Sequence, residues 1–285
     1  FLSHAKNITQ LPSGSVPPEF NTSEVTDFKY AFTYNRSLES FPEGFDTSSG
    51  EIFVSTWYDC NTLISFPDIN ISSATELTRT WKSSKNIASF PTNLIDNIIN
   101  SATITSLKET WRDCSSLLNS TFNNFDAPIN LTNDGLNGTW RSCSGLTSFP
   151  SITIPTGVTK LEYTWGDCEG LLSFPDSIIN QITNSVTITS LDGTWYGCSN
   201  LPDGTYDNFD VPQNTTILDA AFGFNSQLTY FPQIDTSDVT SMRQTWSICT
   251  NLVSFPSIDV GKVTSMNQTW DSCTNLESFG AFSND

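Results

Sequence analysis

One short pattern, VTxLxxTWxxCxxLxSFPxID, recurs along this chain and decides what it can fold into. It is clearest as VTSMRQTWSICTNLVSFPSID from Val239 to Asp259 and as VTSMNQTWDSCTNLESFG from Val263 to Gly280. Anchored on its aromatic residue it occurs ten times, at Phe32, Trp57, Trp81, Trp111, Trp140, Trp165, Trp195, Phe222, Trp246 and Trp270. Those anchors include all 8 tryptophans, and successive ones lie 25, 24, 30, 29, 25, 30, 27, 24 and 24 residues apart. A unit this short cannot bury its apolar positions alone, so neighbours must stack and share one continuous core. The 285 residues are therefore expected to form one solenoid rather than two ordinary domains.

The spacing lies close to the range of leucine-rich repeats. The expected fold is a leucine-rich-repeat-like repeat solenoid of about ten coils, with a parallel sheet of short strands and an irregular or short-helical convex side. Residues 1–20 are read as an N-terminal segment or partial coil, and 21–285 as the solenoid domain. Stacking at about 4.8 Å per coil gives a rod roughly 45 to 50 Å long. A second apolar line runs through Leu38, Leu63, Ile87, Leu117, Leu146, Leu171, Leu201, Leu228, Leu252 and Leu276. A third follows in most coils, at Phe41, Phe66, Phe90, Phe149, Phe174, Phe231, Phe255 and Phe279, and the segment between these two lines is the expected strand. The longer coils match one another: Asn93 to Trp111 resembles Ser177 to Trp195, and NNFDAP (Asn123 to Pro128) resembles DNFDVP (Asp207 to Pro212). A block has been duplicated whole. Its inserts NLIDNII and SIINQIT space their apolar residues as a helix does, which predicts one or two helical turns in each.

All 7 cysteines occupy one repeat position, at Cys60, Cys114, Cys143, Cys168, Cys198, Cys249 and Cys273, and the other coils place Asn35, Ser84 and Asn225 there. An odd count that exchanges with Asn and Ser argues against a disulfide framework. The expectation is a buried ladder whose polar atom satisfies backbone groups, with inter-coil disulfides or metal as alternatives. No C-x-x-C supports zinc. His4 is the only histidine, and no triad, phosphate loop or metal motif is present, so no catalytic constellation, cofactor or metal site is expected. Aspartates recur with the turns, as at Asp46, Asp126, Asp210, Asp235 and Asp259, where they are read as turn or cap residues with a calcium-binding row as the alternative. Among nine N-x-S/T sequons, including Asn7, Asn21, Asn70, Asn119, Asn130, Asn137 and Asn214, those at Asn35 and Asn267 are expected to be unmodified because they lie in or beside the core.

Twelve Lys and Arg face 30 Asp and Glu, a net charge of −18, and no basic patch is evident to neutralise phosphates. Nucleic acid is excluded as a partner on that ground, and an anionic membrane surface is disfavoured. The longest apolar runs are too short to span a bilayer. A small-polar row runs just before the third apolar line, at Ser40, Ser65, Ser89, Ser148, Ser173, Tyr230, Ser254 and Ser278. It is the candidate ligand-facing row, able to hydrogen-bond a glycan or peptide, with a merely solvated strand position as the more ordinary reading. The tryptophans Trp57, Trp81, Trp111, Trp140, Trp165, Trp195, Trp246 and Trp270, with the cysteines, are expected to be structural.

Two coils carry Phe as anchor: AFTYNRSLESFP (Ala31 to Pro42) and AFGFNSQLTYFP (Ala221 to Pro232). They resemble the AFxxCxxL signature of the BspA-like leucine-rich repeat surface proteins, as do the VTSM and FDTS elements. The other eight coils depart from that signature by placing Trp where it has Phe. The resemblance covers residues from about 20 to 280 and implies a non-enzymatic, secreted or surface-displayed adhesin of the kind found on bacteria, some protists and viruses. Its partner would be a protein or glycan on a cell surface. The alternative is a structural subunit of a virion appendage or extracellular filament, bound to neighbouring subunits.

Overall fold

The computed structural model describes residues 22–38 and 45–283. His4, Ser40, Phe41, the sequons at Asn7 and Asn21 and the partial coil at 1–20 lie outside the described residues. What remains is a stack of coils whose regularity begins at the backbone. Around the first anchor, the amides of Phe28, Tyr30, Phe32 and Tyr34 donate to the carbonyls of Ile52, Val54, Thr56 and Tyr58 in the next coil at 2.9, 3.0, 2.9 and 2.8 Å. The amides between them, of Ala31, Thr33 and Asn35, turn back to Phe28, Tyr30 and Phe32 within their own coil. Anchor amides keep this register throughout, Trp81 donating to Thr110, Trp140 to Thr164, Trp195 to Ala221 and Trp246 to Thr269, at 2.9 to 3.0 Å.

Alternating donors demand an unusual backbone. The residues two before and two after each anchor have positive φ, as at Tyr30 and Tyr34 (58° and 63°), Glu109 and Asp113 (53° and 61°), and Gln268 and Ser272 (58° and 59°). Left-handed backbone costs a non-glycine residue about 1–2 kcal/mol. It persists because the same residues donate to the next coil: Glu109 N–H reaches Asn137 O at 2.9 Å, and Asp113 N–H reaches Arg141 O at 2.7 Å. Only Gly138, Gly193 and Gly197 meet this demand at these positions without strain.

The parallel pairing falls mainly elsewhere than expected. Its longest line links Asp27, Ile52, Glu76 and Ser106, and then Lys160, Ser190, Ile217, Ser241 and Ser265, in the segment ahead of each anchor. Between the second and third apolar lines, strand pairing among the described residues is confined to Tyr230 with Ser254 and to β1 (Ser254–Phe255) beside β3 (Ser278–Phe279), while β2 (Ile258–Asp259) pairs with β4 (Phe282–Ser283) beyond them. In this segment several neighbouring coils exchange an isolated backbone hydrogen bond, Leu118 N–H to Ala88 O at 3.0 Å, Leu172 N–H to Thr147 O at 2.9 Å and Val253 N–H to Thr229 O at 2.8 Å, without the repeated exchange that makes a ladder.

Inside, the anchors form one column. Consecutive rings from Phe32 to Trp270 lie 5.5 to 6.2 Å apart between centroids and within 16° of parallel. Third-line phenylalanines wedge edge-on between them: Phe149 sits 4.7 Å from Trp140 at 71° and 5.7 Å from Trp165 at 76°. Two coils lack that Phe. Their places are filled by Phe122 with Phe125 and by Tyr206 with Phe209, which pack edge-on against Trp111 and Trp195.

Two polar lines tie the column together. Each Thr of the TW pair is buried and hydrogen-bonds the preceding coil, Thr110 Oγ1 donating to Leu77 O at 2.7 Å and Thr164 Oγ1 to Leu136 O at 3.1 Å. At the cysteine position every thiol donates to the previous anchor carbonyl, Cys114 to Trp81, Cys168 to Trp140 and Cys273 to Trp246, at 3.1, 3.0 and 3.0 Å. Ser84 and Asn225 do the same to Trp57 and Trp195 at 2.8 and 2.9 Å, which is why three chemically different residues exchange there. The two inserts fold into α1 (Thr92–Ile99) and α2 (Asp176–Thr183), burying Leu94, Ile95 and Ile98 in one and Ile178, Ile179 and Ile182 in the other. Among the described residues no helix is long and apolar enough to cross a membrane.

Candidate ligand-binding surface

The reactive side chains are committed to structure. All seven thiols are free, and burial pushes Cys60, Cys168 and Cys249 up to about 12. A thiol held that way is neither a nucleophile nor a metal ligand at neutral pH. The turn aspartates bond backbone: Asp46 accepts from Ser48 N–H at 2.9 Å, Asp235 from Ser237 at 2.9 Å and Asp259 from Gly261 at 2.7 Å. Those bonds hold the Asp46 and Asp235 carboxyls below their usual range. Asp126 and Asp210 each accept two amides, one in the neighbouring coil (Thr153 and Asp235, both 2.6 Å). Among the sequons, Asn35 is buried as expected, whereas Asn267 is exposed on the last described coil; Asn137, at the same repeat position within the stack, is buried.

The small-polar row stands on the outside. Ser65, Ser89, Ser173, Ser254, Ser278 and Tyr230 are exposed, and Ser148 is half-buried under the Asn119 amide, which donates to its Oγ at 2.9 Å. The Tyr230 hydroxyl donates to Asp207 at 2.7 Å. Immediately before the serines stand exposed apolar residues, Ile64, Leu172 and Val253 at 67%, 61% and 42% exposure, so the row alternates small polar and aliphatic surface.

A second outward strip escaped the sequence reading. The residues flanking each anchor point away from the column, and five of the seven tyrosines collect there, at Tyr30, Tyr34, Tyr58, Tyr163 and Tyr196. At one end Tyr34 and Tyr58 meet edge to face at 5.2 Å, and Tyr30, Tyr34 and Tyr58 line a cavity of about 460 Å³ with Thr33, Ser55, Arg79 and Lys82. Glu109 lies behind it, hydrogen-bonded to Arg79, Lys82 and Arg112. Burial alone would push the Glu109 carboxyl up, but those three cations hold it at about 2. Burial draws the Lys82 ammonium below its ordinary value, against the pull of Glu109. Further along, Arg141 stacks 4.1 Å over Tyr163, and Asp192 sits half-buried near Asp219 and Glu162, its carboxyl raised to about 6 by burial first and by those two charges next. Spacing patterns could not reveal this strip, since its residue types change from coil to coil.

Among solved structures, the chain is similar to a leucine-rich repeat protein from Bacteroides ovatus ATCC 8483, at 18% identity over 81% of this chain and 59% of that one, with a TM-score of 0.45. It is also similar to a leucine rich cell surface protein from Faecalibacterium prausnitzii A2-165, at 14% identity over 97% of this chain and 90% of that one, with a TM-score of 0.42. The chain thus spans 59% of the length of the Bacteroides protein. No curated protein is similar to it. A family model described as "Mycoplasma protein of unknown function, DUF285" matches residues 15–94 and 161–281. With more than half of its length matched, the chain belongs to the DUF285 family, a repeat family of the BspA-like type that its AF coils resemble.

Proposed function

We propose that this chain is a non-enzymatic, surface-displayed binding protein that recognises a cell-surface molecule along its outer strips. The observation that carries the reading is the row of exposed serines, Ser65, Ser89, Ser173, Ser254 and Ser278, at one register of the repeat. A side chain repeated at one register offers a partner several contacts of the same kind, and weak contacts made together add up to useful avidity. The residues an enzyme would draw on are engaged elsewhere: the thiols in the core, the turn aspartates on backbone amides and Glu109 on three cations. Surface display is supported by the BspA-like resemblance of the coils at Ala31–Phe32 and Ala221–Phe222.

Beads coated with the full chain are expected to attach saturably to at least one of a panel of cultured animal-cell layers. A variant with Ser65, Ser89, Ser173 and Ser254 all replaced by Glu, and an unchanged melting temperature, should attach less. Attachment that ignores the replacement would remove the serine row from the reading, and absence of attachment would remove the reading itself. Filaments assembled by the chain alone would favour a structural subunit instead.

A further inference from the structure

The cavity between Tyr30, Tyr34, Tyr58, Arg79 and Lys82 departs from the rest of the molecule in charge. The chain has 12 basic and 30 acidic residues, yet here Arg36, Arg79, Lys82 and Arg112 outnumber Asp59, Glu109 and Asp113, the carboxylates they pair with. A single carboxylate, Glu109, serves three of these cations. It engages Arg79 through Nε, which among the described residues leaves the two outer guanidinium nitrogens for an incoming group. Those two nitrogens form the fork that pairs with a carboxylate in two parallel hydrogen bonds.

The aromatic walls add a second requirement. Tyr30 and Tyr34 are 50% and 37% exposed, so aromatic surface is open in the cavity wall. The floor makes no demand of its own, since Thr33 Oγ1 already donates to Ser55 O at 2.6 Å. A ligand that fits has a flat C–H face to lie on a phenol ring and an anionic group for Arg79. A pyranose bearing a carboxylate has both, whereas inorganic phosphate lacks the apolar face. The volume of about 460 Å³ lies at the small end of ordinary ligand pockets, suited to one or two sugar rings.

We propose that this cavity binds a carboxylate-bearing saccharide, an assignment that rests on the surface-binding reading above and gives it a ligand class. The second aromatic patch serves as an internal control. There Arg141 covers Tyr163, but Glu162, Asp167, Asp192 and Asp219 outnumber Arg141, Lys160 and Arg243, the reverse of the balance at the cavity.

The test is a titration of the full chain, followed by NMR, with two matched probe pairs: 3′-sialyllactose against lactose, and a glucuronic-acid disaccharide against its carboxyl-reduced form. At least one acidic member should bind at least about tenfold more tightly than its neutral partner. Arg79→Gln and Tyr34→Ala should each weaken that binding by about tenfold or more. Tyr196→Ser, in the acidic patch, should leave it unchanged, and melting curves of all variants establish that they fold. Equal binding of acidic and neutral members would overturn the role of Arg79. No binding of either acidic probe up to about 10 mM, with cell attachment of the coated beads intact, would overturn the cavity assignment and leave the surface-binding reading standing. Loss of both would overturn both.

Discussion

Replacing Cys168 separates a hydrogen-bonded ladder from simple apolar packing, because the two give opposite signs. The side chain is fully buried, and its Sγ donates to Trp140 O at 3.0 Å. Valine is more apolar and of similar size, so transfer from water alone would make Cys168→Val neutral or stabilising. The ladder says otherwise. Trp140 O also accepts the Cys143 amide at 3.1 Å, so removing the thiol strips one of two bonds from a buried carbonyl. Leaving a buried polar group unsatisfied costs about 1–3 kcal/mol, and a carbonyl that keeps one partner falls in the lower half of that range. Cys168→Val is therefore expected to lose about 1–2 kcal/mol. Cys168→Ser keeps a donor and copies Ser84, which reaches Trp57 O at 2.8 Å. It should stay within about 1 kcal/mol of the parent. Urea unfolding of the full chain, compared by midpoint at constant slope, ranks the variants. Valine equal to or better than the parent, with serine worse by more than about 2 kcal/mol, would refute the ladder.

The aromatic column makes a related prediction: Trp140→Ala should destabilise by about 3–5 kcal/mol, and Trp270→Ala, whose ring lies at the half-exposed last coil, by clearly less in the same urea assay. At the positive-φ positions, Gln244→Gly should raise the melting temperature, gaining up to about 1 kcal/mol, since Gln244 is exposed at φ 56° and glycine adopts that backbone freely. Asp192 gives a pH dependence of definite sign. Its folded pKa of about 6 lies above the unfolded value, so the folded state holds the extra proton, and the contribution to stability is greatest in acid and falls as pH rises through about 4 to 6. Asp192→Asn should flatten that slope and, with the partial exposure of the group discounted, stabilise the protein by about 1–2 kcal/mol at pH 8 in thermal melts.

Much of the fold was legible because the interior writes itself into residue types. Trp or Phe at the anchor, Leu six residues later and a small donor between them each occupy an environment that repeats in every coil, so the residue type repeats as well. The inserts that became α1 and α2 were legible for the same reason: their apolar residues face the column at helical spacing. The left-handed positions were not legible. Their demand falls on the backbone while their side chains point outward, so Tyr, Arg, Glu, Gln and Asp all occur there, and Gly138, Gly193 and Gly197 were the only hint. Residue type does not separate the two candidate strand segments, because Thr and Ser are common both before and after the anchor. The serine row could be read from its register. The tyrosine and arginine cavity could not, because its lining is shared among three successive coils, and no other three successive coils repeat the combination.

The claim that function sits on the outward strips, with the interior purely structural, is tested most directly by footprinting. Amide hydrogen exchange of the full chain would be measured with and without a saturating acidic saccharide or captured cell-surface glycopeptide. The account expects added protection confined to the segments bearing Tyr30 to Lys82 or the serines from Ser65 to Ser278. Interior amides such as those of Trp140 and Trp165, already bonded to Thr164 and Thr194, should not change. Protection that appears only on the inserted helices, at Thr92–Ile99 and Asp176–Thr183, or no protection despite measured binding, would contradict it.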